Sequence, residues 1–175
     1  MSGPGATLWL EAATAAHLNC ELEAPAQLGV LLDAVVPASW PPATYDHDVI
    51  AFFKDQTEAG GEAAAGWYVW YAMAIPQDGP RTLIGGGGYF GPPENGVVEI
   101  GYAVLPAWQG RGYGSEMVRQ LVDRALARPE ATVRQVVAHT EVGNAASQAV
   151  LRRNGFAVTP EVGAGDRLYF VRDRR

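Results

Sequence analysis

What most limits the folds open to this chain is a short run, Gln109-Gly110-Arg111-Gly112-Tyr113-Gly114, caught between a strand and a helix. Before it, Val97 to Val104 alternates. Val98, Ile100, Tyr102 and Val104 line one face and Val97, Glu99, Gly101 and Ala103 the other, the period of a β-strand. After it, Ser115 to Arg128 sets Met117, Val118, Leu121, Val122, Ala125 and Leu126 at the spacing of an amphipathic helix, which Pro129 stops. Three alternate glycines let the backbone take positive φ and turn successive N–H groups inward. Inward amides leading into a helix N-terminus make an anion-binding concavity, whose natural occupant is a phosphate or pyrophosphate. A plain glycine-rich turn with no ligand is the other reading of the same residues.

Two common phosphate loops do not match. A Walker loop needs Gly-Lys followed by Ser or Thr, which is absent. A dinucleotide fingerprint needs its third glycine one residue later than Gly114, after a parallel strand, whereas the strands leading here read as antiparallel.

The rest of the chain supplies a frame for the loop. Leu8-Trp9-Leu10 reads as a first strand. Ala26 to Val35 reads as a helix between Pro25 and Pro37, and Asp46 to Thr57 as a second helix with Val49, Ile50, Phe52 and Phe53 on its apolar face. Thr57 to Gly66, small and polar, reads as a hairpin loop or mobile connection. Trp67 to Ile75 and Thr82 to Phe90 read as strands, the second weakened by Gly85 to Gly88. Val133 to His139 is a further strand, Asn144 caps a helix to about Arg153, and Phe156 to Val158 and Arg167 to Val171 close the fold as strands. With no repeat and no linker, the expectation is one α+β domain over residues 1–175, built on one mixed sheet.

Composition narrows the partners. A chain of 175 residues that is 48% apolar and 18% charged suits a globular core. It has no run of about 18 apolar residues to span a membrane. Met1-Ser2-Gly3-Pro4-Gly5 lacks the basic-then-apolar pattern of an export signal, and a lone cysteine, Cys20, suits a reducing compartment, so a cytoplasmic location is expected. The net charge of −6 argues against nucleic acid and is compatible with a cationic substrate; the basic tail Arg172-Asp173-Arg174-Arg175 reads as a solvated terminus. One Cys and three scattered His give no metal-ligand spacing.

From Val97 to Phe156 the chain resembles the GCN5-related N-acetyltransferase (GNAT) superfamily. The family's loop, Gln or Arg-x-x-Gly-x-Gly or Ala, is matched by Gln109, Gly112 and Gly114. Val104-x-Pro106 before it and Asn144-x-x-Ser147-x-x-x-Leu151-x-x-x-Gly155-Phe156 after it match as well. Ala138-His139-Thr140, ahead of Asn144 and Ser147, is most similar to the branch that acetylates ribosomal-protein N-termini and various small amines.

The resemblance implies a mostly antiparallel sheet flanked by helices, with a splayed strand pair that binds the cofactor, and acetyl-CoA as co-substrate with no metal. The acceptor would be a small-molecule amine or a protein N-terminus, attacking directly in a ternary complex. Neither nucleic acid nor membrane would be a partner, and a homodimer is left open. The backbone of Tyr102, Ala103 and Val104 would pair with the pantetheine arm. The amides of Gln109, Gly110, Arg111, Gly112, Tyr113, Gly114 and Ser115 would hold the pyrophosphate, with Arg111 adding charge and Asn144 reaching the pantetheine region as well as capping its helix.

Acetyl transfer to an amine that titrates near ~10 needs a base, an oxyanion donor and a leaving thiolate. Glu99, beside small Gly101 and Ala103, is the first candidate base; an exposed strand carboxylate is its plain alternative. His139 titrates in the useful range or serves structure. An amide of Ala103 or Val104 would face the oxyanion. Many family members carry a tyrosine where this chain has Leu151, which has no proton to give. Ser147 is then the candidate donor to the thiolate, with Tyr102 and Tyr113 behind it. Trp40, Tyr45, Trp67, Trp70 and Phe90 line an acceptor pocket or pack in the core. The alternative to an enzyme is a catalytically weak acyl-CoA-binding or sensor module.

Overall fold

Leu8 and Leu10 point inward from Thr7–Ala12 (β1), the first strand in a computed structural model that describes residues 7–129, 132–163 and 165–174. The opening Met1-Ser2-Gly3-Pro4-Gly5, which bears on the export reading, and Arg175 of the basic tail lie outside the described residues. After β1 come helices Ala15–Glu23 (α1), Leu28–Leu32 (α2) and His47–Ala64 (α3). Strands Val69–Ile75 (β2), Thr82–Tyr89 (β3) and Val97–Val104 (β4) follow, then helix Tyr113–Ala127 (α4), strand Gln135–Glu141 (β5), helix Ala145–Arg153 (α5), and strands Ala157–Gly163 (β6) and Arg167–Asp173 (β7).

The sheet order is β1-β2-β3-β4-β5-β7-β6. Neighbours run antiparallel except β4 and β5, which are parallel. This is the mixed, mostly antiparallel sheet expected.

Both faces of the sheet are covered. Met117, Val118, Leu121 and Val122 of α4, with Leu151 of α5, pack on Val98 and Ile100 from one side. Leu18 of α1 and Ile50 and Phe53 of α3 pack on Val69 from the other, and Leu28 and Leu32 of α2 on Tyr71 and Met73. β2 is therefore buried on both sides, so its sequence runs apolar without alternating. Gly87 of β3 lets α4 approach: an added Cβ would stand 2.9 Å from Met117 Sδ.

The N-terminal half departs from the sequence reading in three places. The helix expected over Ala26 to Val35 is only Leu28–Leu32, preceded by a 3-10 turn and ended by Asp33 in the left-handed conformation at φ 47°. Val35 instead bridges Thr82 of β3. Thr57 to Gly66 is not a hairpin loop. α3 runs on through its Ala and Glu residues, good helix formers, to Gly60, and breaks at Gly61. The helix Ala15–Glu23 was not anticipated. Its N-terminus is closed by Thr14 and His17, each side chain bonded to the other's backbone, a capping box with histidine where Glu or Gln is usual.

Candidate active site

β4 and β5 pair only at Val97–Gln135, Val98–Val136 and Glu99–Val137, and then part. β4 stays paired to β3 as far as Val104–Gly85, so one edge of β4 lies open beyond Glu99. The Phe90 amide donates to the Glu99 carbonyl and the Leu105 amide to Ile84, so the odd-numbered residues turn their backbone toward β3. Backbone groups alternate along a strand, so Tyr102 and Val104 face the gap. Of the Ala103 and Val104 amides considered for an oxyanion, only that of Val104 is turned that way. The Val104 carbonyl accepts from Gln109 Nε2 at 2.8 Å, which ties the glycine loop to the open edge.

Gly110 and Gly112 sit at φ +73° and +86°, and a Cβ on either would meet nothing within 4 Å. Conformation, and not crowding, is what requires glycine here. Gly112 opens α4 with no side-chain cap, whereas Thr14, Asp46 and Asn144 cap α1, α3 and α5. The Glu116 amide is the first to bond back, to the Gly112 carbonyl at 3.0 Å. The amides of Tyr113, Gly114 and Ser115 precede it and have no acceptor within the helix. Trp108 buttresses the loop, with Tyr113 at 6.0 Å between ring centroids and the Arg111 guanidinium 5.2 Å over its ring. Glu116, the one acidic residue of the first turn, is answered by Arg119 at 2.6 Å, whose hydrogen bond holds its carboxyl below the usual carboxylate range. The Ser115 hydroxyl accepts from Asn154, so its side chain faces α5.

A cavity of about 460 Å³ lies at the fork. His139 Nδ1 and Glu99 Oε1 are 2.8 Å apart across it, and the His139 ring lies 4.8 Å from that of Tyr169. On the other side of β4 the Tyr102 hydroxyl stands 2.8 Å from Ser147 Oγ. Burial pushes the Tyr102 hydroxyl up to about 12 despite that bond. Asn144 Oδ1 accepts from the Ser147 amide, the cap expected of it, while still lining the cavity. Leu151 is fully buried in the core.

The aromatic expectations divide. Tyr45 and Phe90 line the cavity. Trp67 and Trp70 do not: they are buried in the core, with Arg128 and Arg124 over their rings. Trp40 packs behind the cavity and donates to Glu21 at 2.6 Å. Glu21 also accepts from Tyr45 and Tyr71, so a carboxylate on α1 anchors the segment that carries Tyr45. Burial pushes the Glu21 carboxyl up, against three hydrogen bonds that pull it down. No local motif marks Glu21, Phe53, Tyr68, Glu141 or Arg167 as part of the site, although Phe53 reads as part of the apolar face of its helix and Arg167 as the start of a strand. Among the described residues no group of His, Cys, Asp or Glu is placed to hold a metal. No described helix is long and apolar enough to cross a membrane.

Comparison with known proteins gives the family and the fold. Residues 21–157 match the model of the acetyltransferase (GNAT) domain. The chain is 39% identical over 118 residues to the uncharacterized N-acetyltransferase YjdG of Bacillus subtilis, an alignment covering 67% of this chain and 66% of that relative, just under two thirds of its length. Its fold is similar to RimL, a ribosomal-protein acetyltransferase solved with coenzyme A (TM-score 0.61, 20% identity, 99% of this chain and 96% of that one). It is also similar to yncA of Salmonella typhimurium, a putative acetyltransferase solved with acetyl-CoA (TM-score 0.57, 23% identity, 95% and 93%). A third likeness is to the ribosomal-protein-S5-alanine acetyltransferase of Vibrio fischeri (TM-score 0.65, 13% identity, 99% and 96%).

Proposed function

The chain belongs to the acetyltransferase (GNAT) domain family, and from that premise we propose that it moves the acetyl group of acetyl-CoA to a primary amine by direct attack in a ternary complex. The observation that carries the reading is the uncapped, glycine-opened N-terminus of α4 at one end of a free strand edge whose other end holds Glu99 and His139. These residues fit the co-substrate: free amides suit a pyrophosphate, and an unpaired edge suits an arm carrying amides.

In this reading the amides from Gln109 to Ser115 hold the pyrophosphate and Arg111 adds charge at the rim. Tyr102 and Val104 offer backbone groups to the pantetheine, and Asn144 lines its path. Acetyl-CoA supplies an activated thioester carbonyl. Glu99, oriented by His139, takes the proton of the incoming ammonium, directly or through one water. The amine lone pair forms the new C–N bond, and the Val104 amide stabilises the oxyanion. The C–S bond breaks, its electron pair leaves on sulfur, and Ser147 donates a proton to the thiolate. Tyr102, protonated at neutral pH, replaces the proton of Ser147, and the second proton of the former ammonium, released as the adduct nitrogen becomes the neutral amide, returns through water to Tyr102.

Thiol release from acetyl-CoA with an amine panel tests this, comparing the wild type with Glu99→Gln. Amine-dependent release that falls in the variant is expected. A wild type that binds acetyl-CoA but releases no thiol with any amine would favour the second reading, an acyl-CoA-binding module. That reading draws on one observation, the buried Leu151, which has no proton to give, at the position where the family resemblance implies a tyrosine. No binding of coenzyme A at all would overturn both.

A further inference from the structure

The cavity has a second wall that acetyl transfer alone does not use. The Phe90 amide donates to the Glu99 carbonyl, and Gly88 pairs with Gly101, so Phe90, Glu99 and Gly101 stand on one face of the sheet. The Phe90 ring leans over Gly101: an added Cβ there would stand 3.1 Å from it. Phe53 follows at 6.1 Å between centroids, and Tyr68 lies 5.9 Å beyond Phe53. Tyr45, Pro42 and Val49 continue this lining. Phe90 nonetheless remains 58% exposed, a large apolar side chain turned into a cavity and unfilled by the chain itself. Beside it the polar part of the same cavity carries two carboxylates, Glu99 and Glu141, against Arg167 and a histidine.

Resting on the acetyl-transfer reading, we infer that the acceptor is an amine carrying an aromatic group one or two carbons away. The ammonium sits at Glu99, and the ring fills the slot formed by Phe90, Phe53 and Tyr68. Charge complementarity sets one end of the acceptor and apolar complementarity the other. Small polar amines and polyamines would leave the aromatic wall in water. An arylalkylamine and a peptide beginning with phenylalanine present the same chemistry at this depth.

Steady-state thiol release distinguishes them. In one arm phenethylamine is compared with ethanolamine, in the other the peptide Phe-Ala-Ala with Ala-Ala-Ala. Burial of one phenyl group should favour the aromatic member by about tenfold or more in kcat/KM. Preference in the first arm alone assigns the slot to a small amine, and preference in the second to a peptide N-terminus. Phe90→Ala should collapse the ratio and Phe90→Tyr should keep it, with acetyl-CoA titration showing that each variant is folded. Equal kcat/KM in both arms, or a preference indifferent to Phe90→Ala, would overturn this inference and leave acetyl transfer standing. Absence of thiol release with every amine would remove the activity and this inference together.

Discussion

His139 Nδ1 lies 2.8 Å from Glu99 Oε1, at the point where β4 and β5 stop pairing. The two side chains are 30% and 36% exposed, open enough to meet a substrate and close enough to orient each other. Glu99 stands on the face of β4 opposite Tyr102, so the proposed base and the proposed proton donor reach the fork from different sides.

Glu99→Gln keeps the shape and removes the proposed base. Loss of a positioned general base is worth about 10²–10⁴ in rate, so kcat/KM is expected to fall by that order while acetyl-CoA binding, read by calorimetry, persists. His139→Ala should cost less, because it frees Glu99 without removing it. A larger loss for His139 than for Glu99 would reverse the two roles.

Gly112 holds φ +86° with no neighbour within 4 Å of a would-be Cβ. Gly112→Val therefore meets backbone strain of about 1–2 kcal/mol and no clash. Turning even one or two amides away from the pyrophosphate, at about 1.5–3 kcal/mol for a charged partner, should weaken acetyl-CoA at least about tenfold. Thermal unfolding and calorimetry on the same sample separate the two effects. Unweakened binding would sink the assignment of the loop.

How much of this could be read beforehand depended on how local each signal is. Residues 97 to 128 were legible because alternation, glycines and helical spacing agree there. α1 was not: its cap uses His17, and its buried face includes Glu21, a charged residue answered only by Trp40, Tyr45 and Tyr71 from elsewhere in the chain. Glu99 and His139 could each be nominated, but their contact depends on the short parallel register of β4 and β5, a long-range fact. Aromatic residues look alike in a core and in a pocket. Trp67 and Trp70 went to the first, Phe90 to the second, and Phe53 serves both, and only packing decides.

Tyr102→Phe removes a hydroxyl but little volume. If Ser147 and Tyr102 deliver the proton to the leaving thiolate, kcat and kcat/KM for acetyl-CoA should fall together with KM little changed, and Ser147→Ala should resemble it. With the Tyr102 hydroxyl pushed up to about 12, it stays protonated across the neutral range, so it should add no alkaline limb to the wild-type profile below that pH. A limb in that range that vanishes in Tyr102→Phe would contradict the assignment.

Leu151→Tyr tests whether the tyrosine that the family resemblance leads one to expect can simply be introduced. Leu151 is fully buried, packed in the cluster that joins α4 and α5 to the sheet. A larger, polar side chain there should cost about 1–3 kcal/mol by overpacking, seen as a lower urea midpoint. If Ser147 is the proton donor, no gain in kcat is expected, because its hydroxyl already serves that role. A faster and equally stable variant would show that the proton donor is missing in the wild type.

Glu21 gives the pH test. Burial raises its folded carboxyl above the ordinary 4.5, so the folded state binds that proton more tightly than the unfolded chain does. Its contribution is therefore most favourable below the unfolded value and is lost as pH rises through the raised folded value. In Glu21→Gln this titration is gone. One amide oxygen must also serve Trp40, Tyr45 and Tyr71, which should cost about 1–3 kcal/mol for a donor left unpaired. Urea unfolding of both proteins from neutral pH down to about 4.5 should show the wild type gaining stability relative to the variant as pH falls. The same variant loosens the hold on Tyr45, so KM for the amine should rise more than KM for acetyl-CoA. A relative stability that moves the opposite way with pH would mean that the three donors outweigh desolvation and keep Glu21 ionised below its ordinary range.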